Sequence, residues 1–153
     1  LDGIAFSSEI FVGESIGKRN YSYYQKVIKS CFKLGLIFAI ILSIFFIISG
    51  LGLINLMTSL EEVRIFCYDY LIWIIIMPIL AVSSFLLDGI FLGAAKGTEI
   101  RVAMIQSFVV FCFSAIIFIS LFDNQGLWVS ISIFYLARAI TLKRYLPKIN
   151  SLF

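Results

Sequence analysis

The sequence predicts an all-α integral membrane protein, with the end of one transmembrane helix followed by four complete transmembrane helices. Of its 153 residues, 61% are hydrophobic and only 14% are charged, whereas soluble domains are about half apolar and a quarter charged. The apolar residues lie in long uncharged runs, without the alternation that membrane barrel strands show. A soluble domain of ~150 residues still exposes about a third of its surface, so lipid must cover much of this chain.

Each apolar run reaches or approaches the ~20 residues that a helix needs to cross the hydrocarbon layer. The first run is shorter, and we interpret it as the second half of a span, because the chain begins with Leu1 inside an apolar segment. Thr58 or Ser59 is predicted to cap the helix that begins near Glu61. The predicted spans, which form one membrane domain over 1–153, are 1–16 (partial), 34–54, 69–95, 102–122 and 127–145.

The basic residues predict the orientation of the spans. If every run crosses the membrane once, eleven of the twelve basic residues fall on one side, and the other side holds only Arg64 beside four acidic residues. Cytoplasmic loops carry the excess of Lys and Arg, so the first and third connections and the C-terminus are expected in the cytoplasm. The eleven are Lys18, Arg19, Lys26, Lys29, Lys33, Lys96, Arg101, Arg138, Lys143, Arg144 and Lys148.

Four charged residues are predicted to lie at depth in the membrane, away from the polar connections, where each is costly: Asp2, Glu9, Asp88 and Arg138. The functional interpretation is a polar interior that binds a cation or a cationic substrate, and we favour it for Asp88. The structural alternative, equally open for the other three, is that the carboxylates cap or pair locally while Arg138 extends toward the interface. For Arg138 we predict a pairing with Glu9 or Asp88, or a bond to a loop carbonyl near 93–97.

Small residues and a proline accompany Asp88. Gly89 and Gly93 lie four residues apart, a spacing that lets another helix approach closely. Pro78, ten residues before Asp88, is a candidate hinge, because proline in a helix leaves a backbone carbonyl unpaired. The tetrapeptide of residues 1–4 also recurs at 87–90, on a span of the same direction, which indicates a parallel repeat.

Several kinds of chemistry are excluded or disfavoured. The chain has no histidine, and Cys31, Cys67 and Cys112 lack metal-type spacing, so we expect no metal site and no cofactor. Asp69 and Asp88 lie on one predicted helix, roughly 28 Å apart at 1.5 Å per residue, and cannot share a water as paired protease aspartates do. No phosphate-binding loop or serine nucleophile motif is present. We therefore do not expect an enzyme.

The order of several short motifs resembles the MATE (multidrug and toxic compound extrusion) family, and its DinF-like branch most of all. LDGIAFSSE at 1–9 and VGESIGK at 12–18 resemble the eighth helix of that family and the loop after it. YLIW at 70–73, LLDGIFLGA at 86–94 and TEIR at 98–101 resemble its tenth helix and the following loop. GLW at 126–128 and AR at 137–138 resemble its twelfth helix.

This resemblance implies a twelve-helix antiporter of two six-helix lobes, which exports organic cations or other xenobiotics in exchange for H⁺ or Na⁺. The chain would supply part of the C-terminal lobe, and its partners would be the missing N-terminal part, the lipid bilayer and a small-molecule substrate, with no nucleic acid. The location implied is the inner or plasma membrane. Asp88 occupies the place of an acidic residue that is implicated in cation binding in some branches.

Two other functions stay open from the sequence. A lipid-linked oligosaccharide flippase of the same superfamily would favour a more cationic central cavity than this chain offers. A non-transporting membrane scaffold subunit would tolerate amide replacements at Asp2, Glu9 and Asp88 without loss of function.

Overall fold

The computed structural model describes residues 2–153, and its regular elements are all helices. They are α1 (Asp2–Gly17), α2 (Tyr21–Met57), α3 (Glu61–Gly93), α4 (Gly97–Tyr145) and the short α5 (Pro147–Asn150). The described part of the chain contains no strand, which confirms the predicted all-α class. Leu1, which opens both the predicted first span and the repeated tetrapeptide, lies outside the described residues.

Helices α2, α3 and α4 begin before the predicted spans, because polar residues continue them outside the apolar runs. Helix α2 begins at Tyr21, and Asn20 caps it by accepting a hydrogen bond from the backbone N–H of Tyr23 at 2.9 Å. The predicted cap of α3 is wrong. Its N-cap is Leu60, which supplies no capping side chain, while the Thr58 hydroxyl accepts a hydrogen bond from the Leu60 N–H at 3.3 Å.

Helix α4 is a hairpin rather than one straight rod. Asp123 has a non-helical backbone with φ 50° and ψ −130°, at the start of the turn expected between the last two apolar runs. The Ser107 and Thr141 hydroxyl oxygens lie 3.4 Å apart, although a straight helix would separate these residues by roughly 50 Å. The two halves of α4, residues 97–122 and 124–145, are therefore antiparallel neighbours.

Close contacts at glycines define how the other helices pack. Helix α1 lies parallel to α3, since Gly89 faces the Ala5 carbonyl and Gly93 faces the Glu9 carbonyl four residues later. Helix α2 lies antiparallel to α3, where Gly35 packs on Leu86 and Gly50 packs on Leu71 at the opposite end. The second half of α4 is parallel to α3. The chain thus forms a bundle with α3 at its centre.

The first and third connections and the C-terminal segment gather at one end of this bundle. The rings of Phe153 and Tyr24 are 5.0 Å apart, and Lys148 pairs with Glu99 at 3.2 Å. At the same end Lys18 pairs with Glu14 at 2.5 Å. The Phe153–Tyr24 and Lys148–Glu99 contacts show that the two basic connections and the C-terminal segment share one side, although surface ion pairs add little stability.

Most of the apolar surface of the long helices faces outward. Three segments, Tyr21–Met57, Glu61–Gly93 and Gly97–Asn150, are long and apolar enough to cross a membrane, and their most apolar windows are only 22%, 33% and 17% buried. Because the last segment folds back at Asp123, it can cross twice. An apolar surface of this size needs lipid or further protein to cover it.

A candidate cation site on the central helix

Two of the four charged residues predicted within the membrane meet between α3 and the second half of α4. Asp88 on α3 and Arg138 on the second half of α4 form an ion pair, with 2.9 Å between Arg138 Nη2 and Asp88 Oδ1. Arg138 Nε also donates to Oδ2 at 3.1 Å, and Nη2 reaches Oδ2 at 3.0 Å. Both carboxylate oxygens thus accept from the planar guanidinium, the bidentate geometry that makes such pairs strong.

The parallel course of α3 and α4 explains why these two residues meet. Phe85 and Tyr135 precede Asp88 and Arg138 by three residues each, and their rings stack at 6.2 Å between centroids. Residues three apart share one face of a helix, so the aromatic pair and the ion pair are neighbouring contacts in the interface between α3 and the second half of α4. The stacking of Phe85 on Tyr135 is consistent with the register of the two helices that places the Arg138 guanidinium against the Asp88 carboxylate.

The side chains of the ion pair are largely buried. The side chains of Arg138 and Asp88 keep only 12% and 24% of their full exposure, and Arg138 Nη1 contacts the Met104 sulfur. Removing one partner of a buried ion pair costs about 3–5 kcal/mol, because it leaves the other charge uncompensated. The charge of each residue therefore needs the opposite charge of its partner, or a substitute that carries the same charge as that partner.

The other predicted acids do not join this pair. Asp2 is exposed at the beginning of α1, and Glu9 is half-buried. Within residues 2–153, the ion pairs involve neither Asp2 nor Glu9. Glu9 takes part in the helix contact through its backbone carbonyl, which faces Gly93. The structure therefore brings together Asp88 and Arg138 from the predicted set, and leaves the two α1 carboxylates apart from them.

The predicted packing glycines lie directly beside Asp88. A Cβ at Gly89 would overlap the Ala5 carbonyl and the Ser8 hydroxyl, and a Cβ at Gly93 would overlap the Glu9 carbonyl. These two glycines thus let α1 approach α3 closely. Pro78 is buried inside α3, which continues as a helix through it. The hinge role of Pro78 stays a prediction.

Aromatic residues line two open cavities that share Tyr135, and neither Asp88 nor Arg138 is among the lining residues. A cavity of about 390 Å³ beside Pro78 includes Phe46, Trp128 and Tyr135 among its walls. A second cavity, of about 260 Å³, lies between the halves of α4 and is lined by Phe108, Phe111, Ile131, Phe134 and Tyr135. Aromatic faces attract organic cations within ~6 Å. Tyr135 borders both cavities one helical turn before Arg138, so it links the aromatic walls to the charged pair.

Sequence reasoning missed two neighbours of the site, Met104 and Tyr135. Tyr135 lies three residues before Arg138, and this helical spacing is the signal that could have indicated it. Met104 comes from the first half of α4, and only the hairpin at Asp123 brings it to the guanidinium. In the described part of the chain, no group of three His, Cys, Asp or Glu residues could hold a metal.

Comparison with known proteins agrees with this membrane architecture. The MatE family model matches residues 1–118. The chain is also similar to the DNA damage-inducible protein F of Escherichia coli (strain K12), with 31% identity over 142 residues, which are 93% of this chain and 31% of that relative. The chain thus spans about a third of the relative's length.

No solved structure was found to match the chain. The family match covers well over half of the sequence and includes both Asp88 and the glycines beside it. Members of this family are multi-helix membrane transporters and not enzymes. The chain belongs to the MatE family.

Proposed function

We propose that the transporter to which this chain contributes exports organic cations and related xenobiotics in exchange for H⁺ or Na⁺. The carboxylate of Asp88, held within a membrane helix, is the observation that carries the proposal. Intramembrane carboxylates are rare and commonly mark ion or substrate pathways. In this role Asp88 is the residue that receives the cation, while Asp2 and Glu9 remain secondary candidates.

The aromatic walls favour an organic cation as the exported compound. Trp128 and Tyr135 border the cavity beside Pro78, and the Tyr135 ring stacks on Phe85 one turn from Asp88. An aromatic face attracts a cation with about 0.5–2 kcal/mol, and more strongly where water is excluded. A flat cation that rests on the Tyr135 ring would therefore lie about one helical turn from the ion pair.

The ion pair gives less support to a flippase for anionic lipid-linked sugars. Such a substrate needs free cationic groups at membrane depth, and Arg138 already has Asp88 as its counter-ion. A scaffold without transport activity has no need of a charged pair at this depth. The bidentate geometry of the Asp88–Arg138 pair also restricts both side chains. Replacing such a pair by apolar residues is often neutral or stabilising, so stability alone does not explain why the pair is present.

The transport mode is tested with inside-out membrane vesicles that contain the full-length protein. We expect the vesicles to accumulate ethidium when H⁺ or Na⁺ is concentrated in their lumen, because inward exchange of the drug is coupled to exit of the cation. A protonophore that abolishes uptake would identify H⁺, and a sodium ionophore that does so would identify Na⁺. Equal uptake with and without either gradient would contradict antiport.

The orientation in the inner or plasma membrane is part of the same proposal. The basic connections and the C-terminal segment are expected on the cytoplasmic side. In a cysteine-free full-length protein, single cysteines at Ser22, Thr98 and Asn150, all exposed, should resist an impermeant maleimide in intact cells and react after permeabilisation.

The exposed residues Ser59 and Asn124 lie at the opposite end of the bundle and serve as matched controls for this labelling. Cysteines at these two positions should react from outside in intact cells. If a cysteine at position 22, 98 or 150 is labelled from outside in intact cells, the proposed orientation is wrong.

A further inference from the structure

Arg138 occupies the same carboxylate to which the proposed function assigns the transported cation. Its guanidinium donates three hydrogen bonds to Asp88, and these involve both carboxylate oxygens. A second cation can replace the guanidinium as the partner of both carboxylate oxygens only if the guanidinium moves aside. The bound and unbound states of the site must therefore differ in the position of Arg138.

The surroundings of Arg138 offer the guanidinium a second place. Its contact outside the ion pair is the Met104 sulfur, a weak acceptor that holds it little. Lys143, five residues further along the same helix, is only ~7.5 Å away along the axis. An arginine side chain at this depth can extend to the interface and keep its charge in water. When Arg138 is released from Asp88, its charged group can therefore reach water and does not remain in the hydrocarbon.

We propose that Arg138 is a built-in competitor that exchanges with the exported organic cation at Asp88. In the unloaded site the guanidinium neutralises the carboxylate, and in the loaded site it moves toward the Lys143 end of the bundle. This inference rests on the proposed function of Asp88 and adds to it a determinant of specificity. A neutral or anionic compound cannot replace the guanidinium as counter-ion, so the exchange selects for positive charge.

Equilibrium binding of tetraphenylphosphonium to the purified full-length protein tests the exchange. Arg138→Gln should lower the Kd at least about tenfold, which corresponds to the loss of roughly 1.4 kcal/mol of competition. Arg138→Lys keeps the charge without the bidentate geometry, and its Kd should fall between those of Arg138→Gln and the native protein. Lys26→Gln removes an exposed positive charge from α2, outside the ion pair, and its Kd should equal the native value.

The variants also separate failure of the exchange from failure of the site. If Asp88→Asn binds the probe like the native protein, the proposed function of Asp88 is wrong. If Asp88→Asn binds weakly and Arg138→Gln shows the native Kd or a higher one, only the exchange is wrong. Should Arg138→Gln fail to fold because Asp88 is left unpaired, Arg138→Lys decides alone: a lower Kd supports the exchange, and an unchanged or higher Kd overturns it.

Discussion

Asp88→Asn in the full-length protein is expected to reduce drug export at least about tenfold while leaving membrane insertion intact. Asparagine preserves the shape of the side chain but carries no negative charge, so the site loses its attraction for a cation. A hydrogen bond to a charged group contributes roughly 1.5–3 kcal/mol, and 1.4 kcal/mol is already a tenfold change in an equilibrium constant. Resistance to ethidium, normalised to the amount of protein in the membrane, measures the effect.

Asp69→Asn is the matched control for this experiment. Asp69 lies on the same helix as Asp88, is exposed near the opposite end of the bundle, and undergoes the same change from carboxylate to amide. We expect native resistance from it. Asp88→Glu keeps the charge and should retain more export than Asp88→Asn. Native resistance in Asp88→Asn cells at native expression would instead show that the carboxylate is structural or idle, as the scaffold alternative requires.

Hydropathy and charge were sufficient to predict the helical class and the reversal near Asp123, but not the ends of the helices. Helix α2 begins at Tyr21, well before its apolar run at 34, because charged residues form helices readily outside the membrane. The same limitation explains the wrong cap of α3. Leu60 takes the N-cap position there, although a backbone N–H of the first turn is better satisfied by a polar side chain.

The candidate site was predictable in its members but not in its pairing. Asp88 and Arg138 are conspicuous because each places a charge within an apolar run, whereas Glu9 was an equally acceptable partner on sequence grounds. The choice depends on which helices touch and in what register. Hydropathy does not encode this, since the lipid-facing and the packed sides of a membrane helix are similarly apolar. Contacts such as the stacking of Phe85 on Tyr135 and the hydrogen bond from Trp73 to Gln125 reveal the register.

Gly89→Ala is expected to lower the free energy of unfolding of the full-length protein by about 1–3 kcal/mol, the usual cost of an overpacked contact. The new Cβ would overlap the Ala5 carbonyl oxygen and lie 2.9 Å from the Ala5 carbonyl carbon. These are backbone atoms, which cannot rotate away as a side chain would. Helix α1 must therefore move off α3, and the backbone that carries Asp88 is disturbed with it. The fall in Tm of the detergent-solubilised protein measures the effect.

Gly52→Ala on α2 provides the comparison, because a Cβ there meets no atom within 4 Å. Alanine is the better helix former by about 1 kcal/mol, so this variant should have a Tm equal to or above the native value. Gly93→Ala should resemble Gly89→Ala, since its Cβ would overlap the Glu9 carbonyl. If Gly89→Ala and Gly93→Ala both match Gly52→Ala in Tm, the close packing of α1 on α3 is wrong. If Gly89→Ala and Gly93→Ala lower the Tm and Asp88→Glu does not, the packing of α1 on α3 contributes to stability independently of the shape of the charged side chain at position 88.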